Sequence, residues 1–299
     1  MMKRGAFYMA KKITAVLAVI AFYAAVAAVV FRGAAGSVSV MKSAELPDGS
    51  VRLPVIMYHS ILKDRSRSGK YVITPDTLDK DIKYLHEKGC TTVSAAQVID
   101  FAENGTPLPD KPVMLTFDDG CTNNLFYAVP ILKDNNARGI FAVVGAYTDE
   151  YTASGDTNPN YGYMRWEDVY ELYVSENCEV ANHSYDFHKS AGGRRGALRK
   201  PGESDAVYRK VFEEDTRRMQ EACKRSCGFY PVVYAYPYGL YSEESVEILR
   251  ELGFKMTFSC EEGINTVTRD RRCLELMKRY NRPAGPGAAE FFEDIISRY

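Results

Sequence analysis

Val113-Met114-Leu115-Thr116-Phe117-Asp118-Asp119-Gly120 is an apolar run of strand-forming residues that ends in two adjacent carboxylates and a glycine. A short continuous apolar run bounded by turn signals reads as a strand of a parallel sheet, buried on both faces. The carboxyl ends of such strands are where α/β sheets, open or closed, place their chemistry. Two neighbouring Asp at such an end repel each other and lose solvent together, which is costly without a cation or a shared proton. A division of labour resolves the conflict, with one Asp binding a metal and the other serving as a base. The alternative is a polar strand-to-helix turn in which an Asp caps the next helix. The other strand ends decide between the two.

Working outward, strands and helices alternate on both sides of this run. Leu53 to Tyr58 reads as the first strand and ends at His59. Thr77 to Lys88 has helical periodicity stopped by Gly89, Thr91 to Val93 is a short strand, and Ser94 caps a helix from Ala95 to about Glu103. After the central strand come a helix through Leu132, a strand Gly139–Val144 and a Gly/Asn/Tyr-rich loop, Tyr147–Tyr163, suited to contacting a sugar. A helix Arg165–Glu176 and a strand Cys178–Asn182 lead to His183. The stretch His188–Gly202 reads as a mobile, solvated loop carrying Lys189, Arg194, Arg195, Arg199 and Lys200. Glu203–Lys224 is the longest helix, followed by a strand Val232–Tyr236, a helix Glu243–Leu252, strands Lys255–Ser259 and Leu274–Arg279, and a closing helix Ala288–Ser297. This rhythm gives a mainly parallel sheet with crossovers. Neither a glycine-rich phosphate fingerprint nor an internal repeat is present. About seven β/α units in about 245 residues suit one barrel-like domain better than two nucleotide-binding halves.

The N-terminus is of a different kind. Ile13–Phe31 is 19 residues without a charge, preceded by Lys3, Arg4, Lys11 and Lys12. That length crosses a bilayer as a helix, and the basic flank argues for a cytoplasmic N-terminus and an exported remainder. The run exceeds a usual signal-peptide core, which favours a retained anchor over cleavage. Gly33–Arg52 then reads as a linker. The whole chain carries −1 and residues 1–32 carry +5, so the remainder is near −6, which argues against a nucleic-acid partner. Seven Cys are scattered without CxxC spacing. Cys223 and Cys227, one helical turn apart, could form a disulfide, while most of the others suit small buried positions.

Polar residues recur at the strand ends: His59, then Asp118 and Asp119, then His183, then Tyr238. His183 and His188 lie five residues apart, about 140° around a helix, so joint ligation requires a loop. Directly after a strand, a loop is expected.

Thr116-Phe117-Asp118-Asp119-Gly120, the His183…His188 pair and Tyr236-Pro237-Tyr238-Gly239, in that order, resemble the polysaccharide deacetylases of the NodB-homology group. The resemblance spans roughly residues 53–282. Met57-Tyr58-His59-Ser60 and the five-residue histidine spacing are most similar to the branch containing poly-N-acetylglucosamine deacetylases. The resemblance implies a distorted (β/α)7 barrel that removes N-acetyl groups from a cell-surface or extracellular glycan. Asp119, His183 and His188 would hold a divalent metal, zinc first, with cobalt, nickel or manganese as alternatives. Asp118 would take a proton from the attacking water, and the Tyr238 backbone N–H would help hold the oxyanion.

The chain departs from the family pattern at two places. Ala235 stands where the third motif usually has Arg, so Arg279, at the end of a late strand, is expected to orient Asp118 unless it is a surface residue. No His follows His188, so the usual late Leu-x-His acid is missing, and His59 would take that role. Trp166 matches a family aromatic lining the site, and equally suits the core. Two rival functions remain, an O-acetyl esterase and a non-catalytic carbohydrate-binding protein on the same fold. Nothing in the sequence names protein partners.

Overall fold

The computed structural model describes residues 49–191 and 193–299. The expected anchor Ile13–Phe31, its basic flank and most of the linker lie outside them. Among the described residues no helix is long and apolar enough to cross a membrane.

Strands β1 (Val51–Leu53), β2 (Val55–Tyr58), β3 (Ser60–Ile61) and β4 (Val72–Ile73) lead into helix α1 (Pro75–Glu87). Thr74 caps α1 and Pro75 sits at its first position, where a missing N–H costs nothing. β5 (Thr91–Thr92) and α2 (Ala95–Asn104) follow, α2 opening with a complete Ser94/Gln97 capping box. β6 (Pro112–Phe117), the decisive run, has all six residues buried. One wide π-type turn, Asn124–Ala128, continues into α3 (Val129–Asp134). Then come β7 (Gly139–Val143), α4 (Gly145–Ser154), α5 (Trp166–Val174) and β8 (Cys178–Asn182). The long α6 (Asp205–Cys227), capped by Ser204, precedes β9 (Val233–Ala235) and α7 (Glu243–Glu251). β10 (Met256–Phe258), β11 (Asn265–Val267), β12 (Tyr280–Asn281) and α8 (Ala288–Ile296) complete the chain.

The main sheet runs β10-β9-β8-β7-β6-β2-β12, with β5 also on β6, and every pairing in it is parallel. One short segment reaches both ends of that row. Met277 bridges Phe258 of β10, and Tyr280–Asn281 runs along β2. The sheet is therefore curled into a parallel half-barrel. Alternation along β6 sorts its two faces. Val113, Leu115 and Phe117 pack in one core cluster with Leu78, Ile82 and Leu85 of α1. Met114 joins the other cluster with Val55, Ala142, Ala181 and Ala235. Thr116 and Asp118, further along the Met114 face, meet Arg279.

Several expectations need correction. Tyr147–Ser154 is not loop but most of α4, which has no apolar stripe for a periodicity reading to find. Val51 and Arg52, read as linker, pair antiparallel with Val267 and Thr266. The expected strand Leu274–Arg279 is a 3-10 turn at Arg271–Leu274, a single bridge at Met277 and the later β12. In the charged stretch after His188, Arg194 is largely buried against Glu203, and Arg199 pairs with Asp205 and Glu244. Cys223 and Cys227 are both buried and both free thiols.

Candidate active site

β6 ends in a tight turn that separates the two carboxylates. Asp119 adopts φ +73° and Gly120 φ +71°, and a Cβ on Gly120 would stand 3.2 Å from Val143 Cγ1. A left-handed aspartate is uncommon and is held here by its surroundings. Asp118 turns toward Arg279 and Asp119 toward the histidines.

Arg279 is fully buried. Its two terminal nitrogens each donate to one Asp118 oxygen at 2.8 Å, one of them also to Thr116 Oγ1 at 3.2 Å, and Nε donates to the Ser259 carbonyl at 2.8 Å. This bidentate pairing fixes the plane of the carboxylate as well as its charge. Burial works against the Asp118 carboxylate, but Arg279, His183 and His59 together hold it below the usual range.

His183 follows β8 directly. Its Nδ1 lies 2.7 Å from the Ala235 carbonyl, which must accept a proton from it. That leaves the Nε2 lone pair 3.5 Å from Asp119 Oδ1. His188 Nε2 lies 2.9 Å from the same oxygen. Tyr147 donates to the His188 carbonyl at 3.0 Å, and the Tyr238 ring sits 4.5 Å from the His188 ring. Burial disfavours the Asp119 carboxylate, but the His183 and His188 side chains beside it keep it well below its ordinary range. One donor atom from each of Asp119, His183 and His188 lies within 4.8 Å of the others. One carboxylate and two imidazoles, one of them fixed in its metal-binding tautomer by Ala235, fit a divalent ion. The five-residue spacing works because the intervening residues are loop, with Ser184 at φ +69°.

His59 leaves β2 into the same cavity, of about 510 Å³, which Tyr71, Asp118, Asp119, His183, His188 and Tyr238 also line. Its ring packs 4.7 Å from Tyr71, and its Nδ1 is buried without a partner. Burial lowers its pKa, against the opposite pull of Asp118 and Asp119. Tyr238 sits at φ +59° and is 43% exposed, open to a ligand. Its turn requires Gly239, where a Cβ would lie 2.5 Å from that of Cys260.

Trp166 does not line this cavity. It is buried in the core, and its indole N–H donates to Asp149 at 2.7 Å. Lys70, Tyr71, Glu262 and Asn281 line the cavity instead. These lie in loops or at a strand edge with no local pattern to mark them.

Residues 105–257, just over half of the chain, match the polysaccharide deacetylase family. The poly-beta-1,6-N-acetyl-D-glucosamine N-deacetylase of Escherichia coli K12 is 26% identical over 260 residues, covering 81% of this chain. The chain spans 38% of the length of that relative. A solved de-N-acetylase from Aggregatibacter actinomycetemcomitans is 25% identical with a TM-score of 0.70, covering 83% of this chain and 100% of that one. IcaB from Ammonifex degensii is 26% identical with a TM-score of 0.64, covering 83% and 96%. His59 and Arg279 fall outside the matched family span, whereas both aspartates, both histidines and Tyr238 fall inside it. On that span, this chain belongs to the polysaccharide deacetylase family.

Proposed function

We propose that the protein is a metal-dependent N-deacetylase acting on an N-acetylated polysaccharide of the poly-β-1,6-N-acetylglucosamine kind. The observation that carries the reading is the pairing of two differently used aspartates, one locked by Arg279 and one facing two imidazoles. The names of the E. coli and Aggregatibacter relatives support the N-acetyl substrate. We read the half-barrel as the distorted (β/α)7 barrel of the family, supported by the segment that touches both ends of the sheet.

Asp119, His183 and His188 would hold the metal, zinc first. Once bound, it supplies Lewis acidity to the acetamide carbonyl and to water. Asp118, kept ionised and oriented by Arg279, accepts the proton of the attacking water. His59 gives a proton to the departing amine nitrogen, which is a poor leaving group without it. The Tyr238 backbone N–H donates to the oxyanion as it develops. Acetate and a free amine on the sugar are the products. A carbohydrate-binding protein has no need of an oriented Asp118, which argues against the non-catalytic reading.

We further read Ile13–Phe31 as an anchor that keeps the catalytic domain on the extracellular side of the membrane, supported by its charge-free length and basic flank. Full-length protein in the membrane fraction, protease-accessible from outside, is the expected result; shortened protein in the medium indicates cleavage.

The activity test is acetate release by the full chain from β-1,6-linked N-acetylglucosamine oligomers, before and after chelation and zinc refill. Release that stops on chelation and returns with zinc is expected. Release from O-acetylated glycan alone would assign an esterase, and binding without release from either would assign a non-catalytic protein.

A further inference from the structure

The ligand loop between His183 and His188 has an unusual hydrogen-bond arrangement. Its backbone carbonyls at Ser184 and Tyr185 accept from Gly145 and Ala146, the first N–H groups of α4. Its four successive backbone N–H groups all go to side-chain oxygens. Ser184 N–H donates to Asn182 Oδ1 at 2.8 Å and Phe187 N–H to Ser184 Oγ at 3.1 Å, both local. The two in the middle cross to α6. Tyr185 N–H donates to one oxygen of Asp215 at 2.9 Å and Asp186 N–H to the other at 2.7 Å. Asp215 is 8% exposed, and it is 30 residues from one donor and 29 from the other.

We propose that Asp215 is the positioning residue for His188, clamping the apex of the loop so that its last residue arrives beside Asp119. The proposal rests on His188 being a metal ligand. Ser184 holds a left-handed conformation at the start of this loop, which costs free energy unless neighbouring contacts enforce it. Asp215 enforces it from outside the loop, using both oxygens on two consecutive amides, as a bidentate clamp does. His183 does not depend on this clamp, because its N–H is tied to the Val143 carbonyl and its ring to Ala235. The clamp therefore acts on one ligand of three.

The same device occurs away from the site, which supplies a control. Glu179 accepts from Ala95 N–H at 2.5 Å and Ala96 N–H at 3.0 Å with its two oxygens. It sits near the start of β8, whereas His183 follows that strand's end. Removing Glu179 deletes the same kind and number of hydrogen bonds without touching the ligand loop.

The test is zinc affinity of the purified full chain, by competition with a chromophoric chelator, alongside thermal melting of the metal-free protein. Asp215→Ala should bind zinc about 10–100-fold more weakly, the usual effect of losing a group that orients a ligand. Glu179→Ala should lower the melting temperature and leave zinc affinity unchanged. Asp215→Asn keeps the shape but turns one acceptor into a donor, so it should fall between wild type and Asp215→Ala. If Asp215→Ala does not fold, Asp215→Asn against Glu179→Gln decides by the same comparison. Unchanged zinc affinity in the Asp215 variants, or an equal loss in the Glu179 variants, overturns the proposal. Because zinc binding is the readout, the outcome does not depend on which acetyl group the enzyme removes.

Discussion

Two buried arginines lie three residues apart near the end of the chain, and each grips an aspartate with two hydrogen bonds. Arg279 holds Asp118, and Arg282 holds Asp81 at 2.8 Å through Nε and again through a terminal nitrogen. Both guanidinium groups are essentially inaccessible to solvent. The partners differ in what else faces them. Asp81 also accepts from the Tyr58 hydroxyl, and the remaining Arg282 nitrogen is spent on the carbonyls of Pro283 and Pro286. Burial wins there, and the Asp81 pKa is raised despite Arg282. Asp118 borders the cavity, where His183 and His59 add to the pull of Arg279, and its pKa is lowered despite burial. The ion pair alone therefore does not mark a functional site. What marks it is the open side of the carboxylate and the groups gathered there.

That contrast can be broken in several places. The largest expected effect is at the ligands: Asp119→Ala, His183→Ala and His188→Ala should each lose bound divalent metal, measured by elemental analysis, and with it acetate release. Full metal occupancy in His188→Ala would move the third ligand elsewhere, with Asp186 the first candidate. Next, His59→Ala should keep metal and fold but lose about 10²–10⁴-fold in amide turnover. The loss should be smaller on an activated acetyl ester, whose leaving group needs no proton. Equal losses on both substrates would make His59 a binding residue.

On the sealed side, Arg282→Met should cost about 3–5 kcal/mol of stability by leaving Asp81 buried and unpaired. Its turnover per folded molecule should stay near wild type. A catalytic defect in folded Arg282→Met would erase the distinction drawn between the pairs. Smallest of all, Trp166→Phe should cost about 1–3 kcal/mol by orphaning Asp149 from one of its donors. A large rise in KM with unchanged stability would return Trp166 to the substrate site.

The sequence made visible what is local and left out what is assembled. Asp118-Asp119-Gly120, the histidine pair and Pro237-Tyr238-Gly239 each combine a strand end with a turn, so a few neighbouring residues reveal them. Arg279 came into view only because Ala235 vacates the usual arginine position; its partner is 161 residues away. Arg282 and Asp81 are 201 residues apart, and neither carries a motif. α4 has no apolar stripe, so periodicity does not reveal it. Trp166 is ambiguous in sequence because a large aromatic beside a site and one beneath it look alike until burial is known. Asp215 is one acid among many on a charged helix, and only the loop amides it holds single it out.

The most direct test compares Asp118→Asn with Asp81→Asn, reading acetate release from a β-1,6-linked N-acetylglucosamine oligomer per folded, metal-loaded molecule. Asp118→Asn should bind metal and turn over about 10²–10⁴-fold more slowly, while Asp81→Asn should be less stable and turn over like wild type. Turnover by Asp118→Asn at the wild-type rate, or an equal catalytic loss in both variants, would contradict the account.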